Sequence, residues 1–186
     1  MNKLTTYVAL LRGINVGGNT LISMAELKAC FERLGYTDVR TYINSGNIIF
    51  RTTSADPRLL EAKIEKALNA AFSYPVVTVV RSFSEIQKLM TQVPKSWHTE
   101  KDQKCNVIFL RHTIDNPSIL EGLNPKPDIE ELHYHPGVLF WSAKTSDLTK
   151  SNMIKLSSKS VYREMTIRIF NTLRKVYAMM EEVNGN

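Results

Sequence analysis

The sequence has little cysteine and no long apolar run, and both absences narrow the class of protein. Its 186 residues include two cysteines, Cys30 and Cys105, which are too few and too far apart for a disulfide framework and form no CxxC pair. We therefore expect both thiols to be reduced and buried, as free cysteines usually are. No stretch approaches the roughly 18 apolar residues of a membrane-spanning helix, and the N-terminal segment lacks the cleavage site of a signal peptide. The sequence therefore predicts a cytoplasmic protein outside the membrane.

The motifs that identify common enzymes are also absent. There is no GK[ST] sequence of a P-loop, no GxGxxG fingerprint, no Ser/His/Asp order and no paired-carboxylate motif. His133 and His135 lie two apart on a predicted strand and share a face, but a third metal ligand is missing. We interpret both histidines as solvent-facing and predict no metal site. The sequence assigns no catalytic residue and no cofactor, and it leaves open whether the chain is an enzyme.

Composition places the chain among ordinary folded proteins. Hydrophobic residues make up 43% and charged residues 23%, which argues against disorder and coiled coil, and the length suits one large domain or two small ones. The net charge is +6, and basic residues outnumber acidic ones most clearly in 1–55 and 141–180. Such asymmetry marks either a surface that faces an anionic partner or a solvated basic face.

Local signals in the first half predict six elements in a known order. Ser23 and Glu26 form a capping box that begins a helix ending at Gly35, and Asp56 with Pro57 begins a second helix. The predicted elements are a strand at Tyr7–Arg12, the helix after Ser23, a hairpin of VRTYI and NIIFR, the helix from Asp56 to Phe72, and a strand at Val76–Arg81. This order is the ferredoxin-like split βαβ arrangement.

The second half repeats much of this order. Both halves begin with a strand ending in Leu-Arg, and both hairpins place a tyrosine before a glycine turn and a phenylalanine after it, which we interpret as an internal duplication. A second capping box, at Ser82 and Glu85, predicts a short helix before the boundary. The predicted class is α+β, with a ferredoxin-like half at 1–92, a linker at 93–103, and a βαββα half at 104–186. The second half shows no obvious final strand and ends in a predicted helical tail from about Thr166 to Glu182.

Four segments together carry a family resemblance. LLRGINVGG (10–18), SMAELKACFERLGYTDV (23–39) and TYINSGNIIF (41–50) resemble the domain of unknown function 1697 family, and residues 166–172 resemble its C-terminal T-x-R-N-x-N-T signature. Ile169 stands where that family usually has Asn. The resemblance implies a two-part α+β fold and cytoplasmic residence, but it implies no activity.

The residues in these segments form a candidate ligand site. A glycine-rich loop between a strand and a capped helix presents N–H groups to an anion, amides and a hydroxyl lie at the hairpin tip, and Arg168 and Asn171 are three apart on the predicted tail helix and so share a face. The candidate residues are Arg12, Gly13, Asn15, Gly17, Gly18, Asn44, Ser45, Gly46, Asn47, Arg168, Asn171 and Thr172. The alternative is structural: the glycines permit positive φ angles, Arg12 pairs with a carboxylate, and the hairpin residues only make the turn.

Three functions therefore remain open. The leading hypothesis is that a small anionic ligand, such as a phosphorylated metabolite or nucleotide, binds between the two halves. Nucleic-acid binding through the basic terminal segments is the second, and it predicts a steep salt dependence; a scaffold without ligand is the third. Aromatic residues on predicted strands, Tyr42, Phe50, Tyr134, Phe140 and Trp141, suit base stacking in RNA-binding sheets, but we favour core packing because the signatures of those modules are absent. The oligomeric state is not predicted.

Overall fold

The computed structural model describes residues 4–15, 21–53, 56–99 and 101–185. The chain divides into two units, of which the first comprises Met1–Met90 with Arg174–Asn186 and the second Thr91–Leu173. This division differs from the sequence-based one mainly at the C-terminus, where the residues from Arg174 onward belong to the first unit. The two units are described separately below.

The first unit is built on one antiparallel sheet. Its elements are β1 (Thr5–Leu11), α1 (Met24–Arg33), β2 (Thr37–Tyr42), β3 (Asn47–Thr52), α2 (Pro57–Phe72), β4 (Thr78–Ser82) and most of α3 (Phe83–Gln92). The strands are ordered β2-β3-β1-β4, which is the predicted split βαβ arrangement. Helices α1 and α2 bury Phe31 and Ile64 against Phe50 on one face of this sheet.

Side-chain caps fix where the helices of the first unit begin. Ser23 accepts a hydrogen bond from the Glu26 N–H at the start of α1, and Asp56 accepts one from the Arg58 N–H at the start of α2. At α3 the capping box is reciprocal, because Glu85 accepts from the Ser82 N–H at 2.7 Å while its own N–H donates to Ser82 Oγ at 3.3 Å. These caps satisfy N–H groups that a helix leaves unbonded, and the predicted helix starts are confirmed.

The second unit contains a sheet like that of the first, but 3-10 helices stand where the first unit has its second helix, α2. It contains β5 (Gln103–Leu110), α4 (Ile119–Leu123), β6 (Glu130–His135), β7 (Val138–Lys144), β8 (Met165–Ile169) and the start of α5 (Phe170–Gly185). The strand order is β6-β7-β5-β8, equivalent to that of the first unit. Between β7 and β8 lie three 3-10 helices, Thr145–Lys150, Asn152–Ser158 and Ser160–Glu164, which we call the 3-10 segment. The fold class predicted from the sequence is confirmed.

The start of the tail was predicted incorrectly. Residues Met165–Ile169 form an edge strand, in which Arg168 pairs with Val107 of β5, and α5 begins only at Phe170. Three of the five strand residues are β-branched, which favours strand over helix. Arg168 therefore lies on a strand and Asn171 on a helix, and the prediction that both share one helical face is wrong.

Equivalent hydrogen bonds support the internal duplication. In the first unit the Leu11 N–H donates to the Gly46 carbonyl at 2.8 Å, and in the second the Leu110 N–H donates to Gly137 at 2.9 Å. Likewise, the Arg12 N–H donates to the Val77 carbonyl at 2.9 Å, and the Arg111 N–H donates to the Glu164 carbonyl at 3.0 Å. Val77 and Glu164 each lie four positions before an arginine, Arg81 and Arg168 respectively. The same joint between the first strand, the hairpin and the last strand is thus built twice.

The stretch predicted as a linker has structure of its own. Residues Lys95–His98 form a 3-10 helix, and the Trp97 ring packs against Phe140 and Phe170 with centroids 5.6 and 5.3 Å apart. Both cysteines are free and buried, as predicted. In the part of the chain that the structure describes, no helix has the length and apolar character needed to cross a membrane.

Candidate functional site

The loop after β1 alternates the sign of its backbone φ angle. Gly13 has φ +70° and Asn15 has φ +53°, whereas Ile14 between them is not among the residues with positive φ. Such alternation turns successive N–H groups toward one side, in the concave arrangement called a nest, which binds anions. The N–H groups of Gly13 and Ile14 donate no hydrogen bond to another described residue. Gly13 is exposed, so its N–H is available to a ligand, whereas Ile14 has no accessible surface.

The side chain of Ile14 anchors this loop in the core. It is fully buried with Leu11, and both lie directly beneath Gly46 of the hairpin turn. A Cβ added at Gly46 would lie 2.7 Å from Leu11 Cβ and 3.0 Å from Ile14 Cδ1, and Gly46 has φ +77°. Only glycine fits this position without displacing its neighbours, so the loop and the turn are held in close contact.

The Asn15 side chain connects the loop after β1 to two other segments, the residues just before α1 and the hairpin turn. Its Nδ2 donates to the carbonyls of Ile22 and Asn44, both at 2.9 Å, and its Oδ1 accepts from the Ile22 N–H at 2.7 Å. These bonds engage the amide on both sides. Asn15 therefore positions the loop rather than offering its side chain to a ligand.

Asn47 has a similar structural role in the hairpin. It is fully buried, and its Nδ2 donates to the Tyr42 carbonyl at 3.0 Å and to Ser45 Oγ at 3.1 Å. Asn44 at the tip is exposed and Ser45 is half-buried. The structural alternative weighed for this turn thus explains Asn47 and Gly46.

The structure brings seven of the twelve candidate residues together. Arg12, half-buried at the end of β1, joins Gly13 and Asn15 in the loop, and the Asn15–Asn44 bond connects them to the hairpin residues. We call this set the loop–turn site, consisting of Arg12, Gly13, Asn15, Asn44, Ser45, Gly46 and Asn47. Gly17 and Gly18 lie outside the described residues.

The other three candidates belong to the second unit. Arg168 is 6% exposed, and its Nη1 donates to Thr166 Oγ1 and to the Ile167 carbonyl, both at 2.8 Å. Burial lowers the pKa of this guanidinium to about 10, because the charged form loses hydration. Asn171 is exposed and Thr172 half-buried in the first turn of α5.

An arginine at the equivalent position of the first unit makes a buried ion pair that the sequence analysis missed. Arg81 Nη1 lies 3.8 Å from Glu61 Oε1 and donates to the Val80 carbonyl at 2.8 Å. The same Glu61 oxygen accepts the Val80 N–H at 2.9 Å. Glu61 sits on the buried face of α2, where the apolar periodicity gave no sign that its carboxylate caps the edge strand β4.

The histidine and aromatic residues offer little to a ligand. His133 Nε2 is 3.8 Å from Glu131 Oε2 and both side chains are exposed; across the described ranges no group of three or more potential metal ligands occurs. Phe50, Phe140 and Trp141 are buried, so the preference for core packing over base stacking is confirmed for these three. Tyr134 donates its hydroxyl to Asp115 at 2.9 Å.

Two recesses in the second unit were not predicted from the sequence. The larger, about 550 Å³, lies between α4 and the end of the 3-10 segment and is lined by Asn116, Ser118 and Lys159 among others. Lys159 Nζ is already bonded to the Gly122 carbonyl at 2.7 Å. The smaller, about 230 Å³, lies between the sheet and the 3-10 segment and includes Asn106 and Trp141 in its wall. Nothing in the local sequence marks either recess, because both depend on how the 3-10 segment folds back over the sheet.

Comparisons with known proteins agree with the resemblance seen in the sequence. The family model described as "Protein of unknown function (DUF1697)" matches residues 4–140. The structure of the conserved bacterial protein SP0830 from Streptococcus pneumoniae is similar, with 26% identity, a TM-score of 0.85, and coverage of 96% of this chain and 99% of that one. A protein from Galdieria sulphuraria matches with 12% identity over 90% and 98% of the two chains, but at a TM-score of 0.28. No curated protein matches the chain.

Proposed function

Because the chain belongs to the DUF1697 family, whose description gives no activity, we propose its function from the geometry of the first unit: it binds a small anionic, phosphorylated ligand at the loop–turn site. The observation that carries this proposal is the alternation of φ at Gly13, Ile14 and Asn15. Cytoplasmic residence, which the sequence resemblance implies, is part of the same proposal.

The nest supplies a hydrogen-bond donor for the ligand. The Gly13 N–H has no acceptor among the described residues and belongs to an exposed residue, and a phosphate oxygen accepts such a donor readily. Because the buried Ile14 side chain fixes the backbone, little conformational entropy is lost when the ligand binds. The loop is thus pre-organised.

Arg12 supplies the charge. Its position next to the nest, at the end of β1, suits a guanidinium that contacts the same anion, and guanidinium–phosphate hydrogen bonds are strong and often bidentate. The excess of basic residues in 1–55 adds a favourable long-range field. Asn15, Gly46 and Asn47 support the proposal indirectly, because they hold loop and turn in place.

Two glycines allow a matched test of the nest. Gly13 and Gly35 both have positive φ, and an added Cβ would meet nothing within 4 Å at either one. Replacing either by alanine should therefore destabilise the protein by a similar amount, about 1–2 kcal/mol. Only Gly13→Ala should weaken binding of inorganic pyrophosphate and nucleoside phosphates, measured by isothermal titration calorimetry, because only Gly13 belongs to the nest.

A second pair tests the charge. Ligand at 100 times its dissociation constant should stabilise the folded protein by about 2.7 kcal/mol and so raise its melting temperature. Arg12→Ala should abolish this thermal shift for the same ligands. Arg33→Ala is the control, since Arg33 is exposed in the last turn of α1. Equal binding by all four variants would contradict the proposal. Short RNA and DNA serve as competing ligands: binding that falls steeply with salt and ignores Gly13→Ala would favour the nucleic-acid alternative.

A further inference from the structure

Strand β4, at the edge of the first unit's sheet, has its outward N–H groups closed by glutamates. The Arg12 N–H bonds the Val77 carbonyl, and hydrogen-bonded pairs alternate along an antiparallel ladder. Every second residue from Thr78 onward therefore turns its N–H away from β1. These three groups each donate to a carboxylate: Thr78 to Glu65 at 2.8 Å, Val80 to Glu61 at 2.9 Å, and Ser82 to Glu85 at 2.7 Å.

Such closure prevents strands from pairing with one another. An open edge presents a row of N–H and C=O groups to any other strand, and native proteins block it for that reason. Every copy of a chain carries the same edge, so self-association is the pairing that the block chiefly prevents. The glutamates occupy the outward donors of β4 and so keep this edge from a second copy.

The equivalent edge in the second unit, strand β8, is open. The Arg111 N–H bonds the Glu164 carbonyl, so the same alternation turns the N–H groups of Ile167 and Ile169 away from β5. No described residue accepts a hydrogen bond from either N–H group. The two units thus share a fold but differ in how this edge ends.

The difference has two causes in the sequence. Glu61 and Glu65 belong to α2, and in the second unit 3-10 helices stand in place of that helix. Glu85 lies three residues after the end of β4, whereas Thr172 lies three residues after the end of β8. The second unit therefore lacks a carboxylate at each of these positions.

The side chains of β8 do not block the edge either. Charged side chains, proline and bulges are the usual devices, but β8 has no proline and its register with β5 is continuous. Its one charged residue, Arg168, is 6% exposed and bonds its own strand. Ile169 is 56% exposed and Ile154 is 61% exposed, and Ile154 lines the same recess as Ile167. Apolar surface therefore extends from the edge onto the 3-10 segment.

We propose that β8 pairs with β8 of a second copy of this chain, antiparallel about a two-fold axis, so that two four-stranded sheets join into one. A second copy is the occupant because it offers the same unbonded N–H groups at the same spacing, and an isologous interface satisfies both edges at once. Homodimer interfaces are also more apolar than other surfaces, which suits the exposed isoleucines. The interface lies in the second unit and is separate from the loop–turn site.

The charge of Arg168 selects the register of this pairing. With Ile167 opposite its own copy, Ile169 lies opposite Met165 and Arg168 opposite Thr166, so one face of the new pair is entirely apolar. The N–H groups of Ile167 and Ile169 then donate to the carbonyls of Ile167 and Met165 in the second copy. The Ile167 carbonyl already accepts from Arg168, but a carbonyl oxygen has two lone pairs. A register centred on Arg168 would place two guanidinium groups opposite each other, which is destabilising.

Sedimentation velocity from micromolar to millimolar protein tests the pairing. We expect a reversible monomer–dimer equilibrium. Ile169→Lys adds the charge that blocks natural edges and acts twice in a symmetric dimer, so it should raise the dissociation constant by at least about tenfold, the effect of about 1.4 kcal/mol. Leu59→Lys is the matched control, because Leu59 is 66% exposed on α2 and the same chemical change there should leave the equilibrium unaltered.

Amide hydrogen exchange shows whether the dimer forms through β8. The Ile167 and Ile169 amides should exchange more slowly as the protein concentration rises, whereas those of Thr78 and Val80, already bonded to glutamates, should not respond. A chain that stays monomeric at millimolar concentration would overturn the proposal and leave the edge to a strand of a different protein. A dimer that persists unchanged in Ile169→Lys, or that forms without slowing the Ile167 amide, would overturn it as well.

Discussion

Replacing Glu130 by glutamine tests how the second unit holds its 3-10 segment. This carboxylate is 4% exposed, and Oε2 accepts from Trp141 Nε1 and Ser151 Oγ while Oε1 accepts the N–H groups of Lys126 and Asn152 at 3.1 and 3.0 Å. A glutamine has one carbonyl oxygen and can satisfy only one of these two pairs. Its NH₂ group would face the donors of the other pair.

The expected loss of stability follows from the count of broken bonds. Two hydrogen bonds to a charged acceptor are lost, each contributing roughly 1.5–3 kcal/mol, and the two N–H or O–H donors of that pair then face the glutamine NH₂ group, which is itself a donor. We therefore expect Glu130→Gln to lower the free energy of unfolding by about 3–6 kcal/mol, a large part of the 5–15 kcal/mol typical of a domain. Urea denaturation followed by tryptophan fluorescence measures this directly, since Trp141 lies at the site.

The neighbouring residue supplies the control. Glu131 is exposed and only 3.8 Å from an exposed His133, so Glu131→Gln should change stability by less than about 0.5 kcal/mol. Equal effects of the two substitutions would refute the role assigned to Glu130.

Acid provides an independent check of the same carboxylate. Burial raises the pKa of Glu130, but hydrogen bonds from Ser151, Trp141 and two backbone N–H groups outweigh it, so the pKa lies below the ordinary 4.5. The unfolded chain therefore takes up this proton first as the pH falls, and the stabilisation present above pH 4.5 is lost progressively below it. In Glu130→Gln this part of the acid dependence should be missing, as urea midpoints between pH 3 and 6 would reveal.

Two further predictions concern the first unit. Gly46→Ala should destabilise by about 2–4 kcal/mol in urea denaturation, since it combines a positive φ with a close approach to Leu11 Cβ, whereas Gly35→Ala should lose only about 1–2 kcal/mol; similar losses would contradict the close packing of loop and turn. Burial raises the pKa of Tyr36 to about 12, so stability should fall as the pH rises above 10, where the unfolded chain ionises first. Burial also raises the pKa of Tyr7, Tyr134 and Tyr177, so absorbance titration at 295 nm should show several late-ionising tyrosines, and Tyr36→Phe should remove one of them. A Tyr36 that ionises near 10 would refute its burial.

The parts of the fold that could be predicted are those that depend on residues close together in the sequence. Ser23, Asp56 and the Ser82–Glu85 box marked helix starts because a cap depends only on residues three or four positions apart. The Asn-Ser-Gly turn marked the first hairpin for the same reason. From these elements the split βαβ order followed directly.

The missed parts depend on contacts distant in sequence. β8 is an edge strand that pairs with β5, about 60 residues earlier, and the apolar residues after it continue with helical period, so the local pattern extends the predicted helix backward across Arg168. The 3-10 segment is held by Glu130, which precedes it by about 20 residues. No periodicity of the local sequence encodes such a bond.

The candidate site was predictable in part. The family resemblance singled out the loop and the hairpin, and Asn15 joins them as expected of residues that act together. The same bonds show that Asn15 and Asn47 are structural, which their sequence context left open. The sequence predicted only that a glycine-rich loop could present N–H groups. The nest at Gly13 and Ile14 depends on the positive φ angle of Asn15, and the sign of φ at a non-glycine residue cannot be predicted from the sequence.

The most direct test of anion binding is a ¹H–¹⁵N NMR titration of the backbone amides with pyrophosphate. We expect the amide proton of Gly13 to move downfield in a saturable manner, since it would donate to the ligand, and we expect Gly35→Ala to keep this response while Gly13→Ala loses it. If the Gly13 amide stays in place while others shift, or if nothing shifts at millimolar pyrophosphate, the loop–turn site is not an anion site.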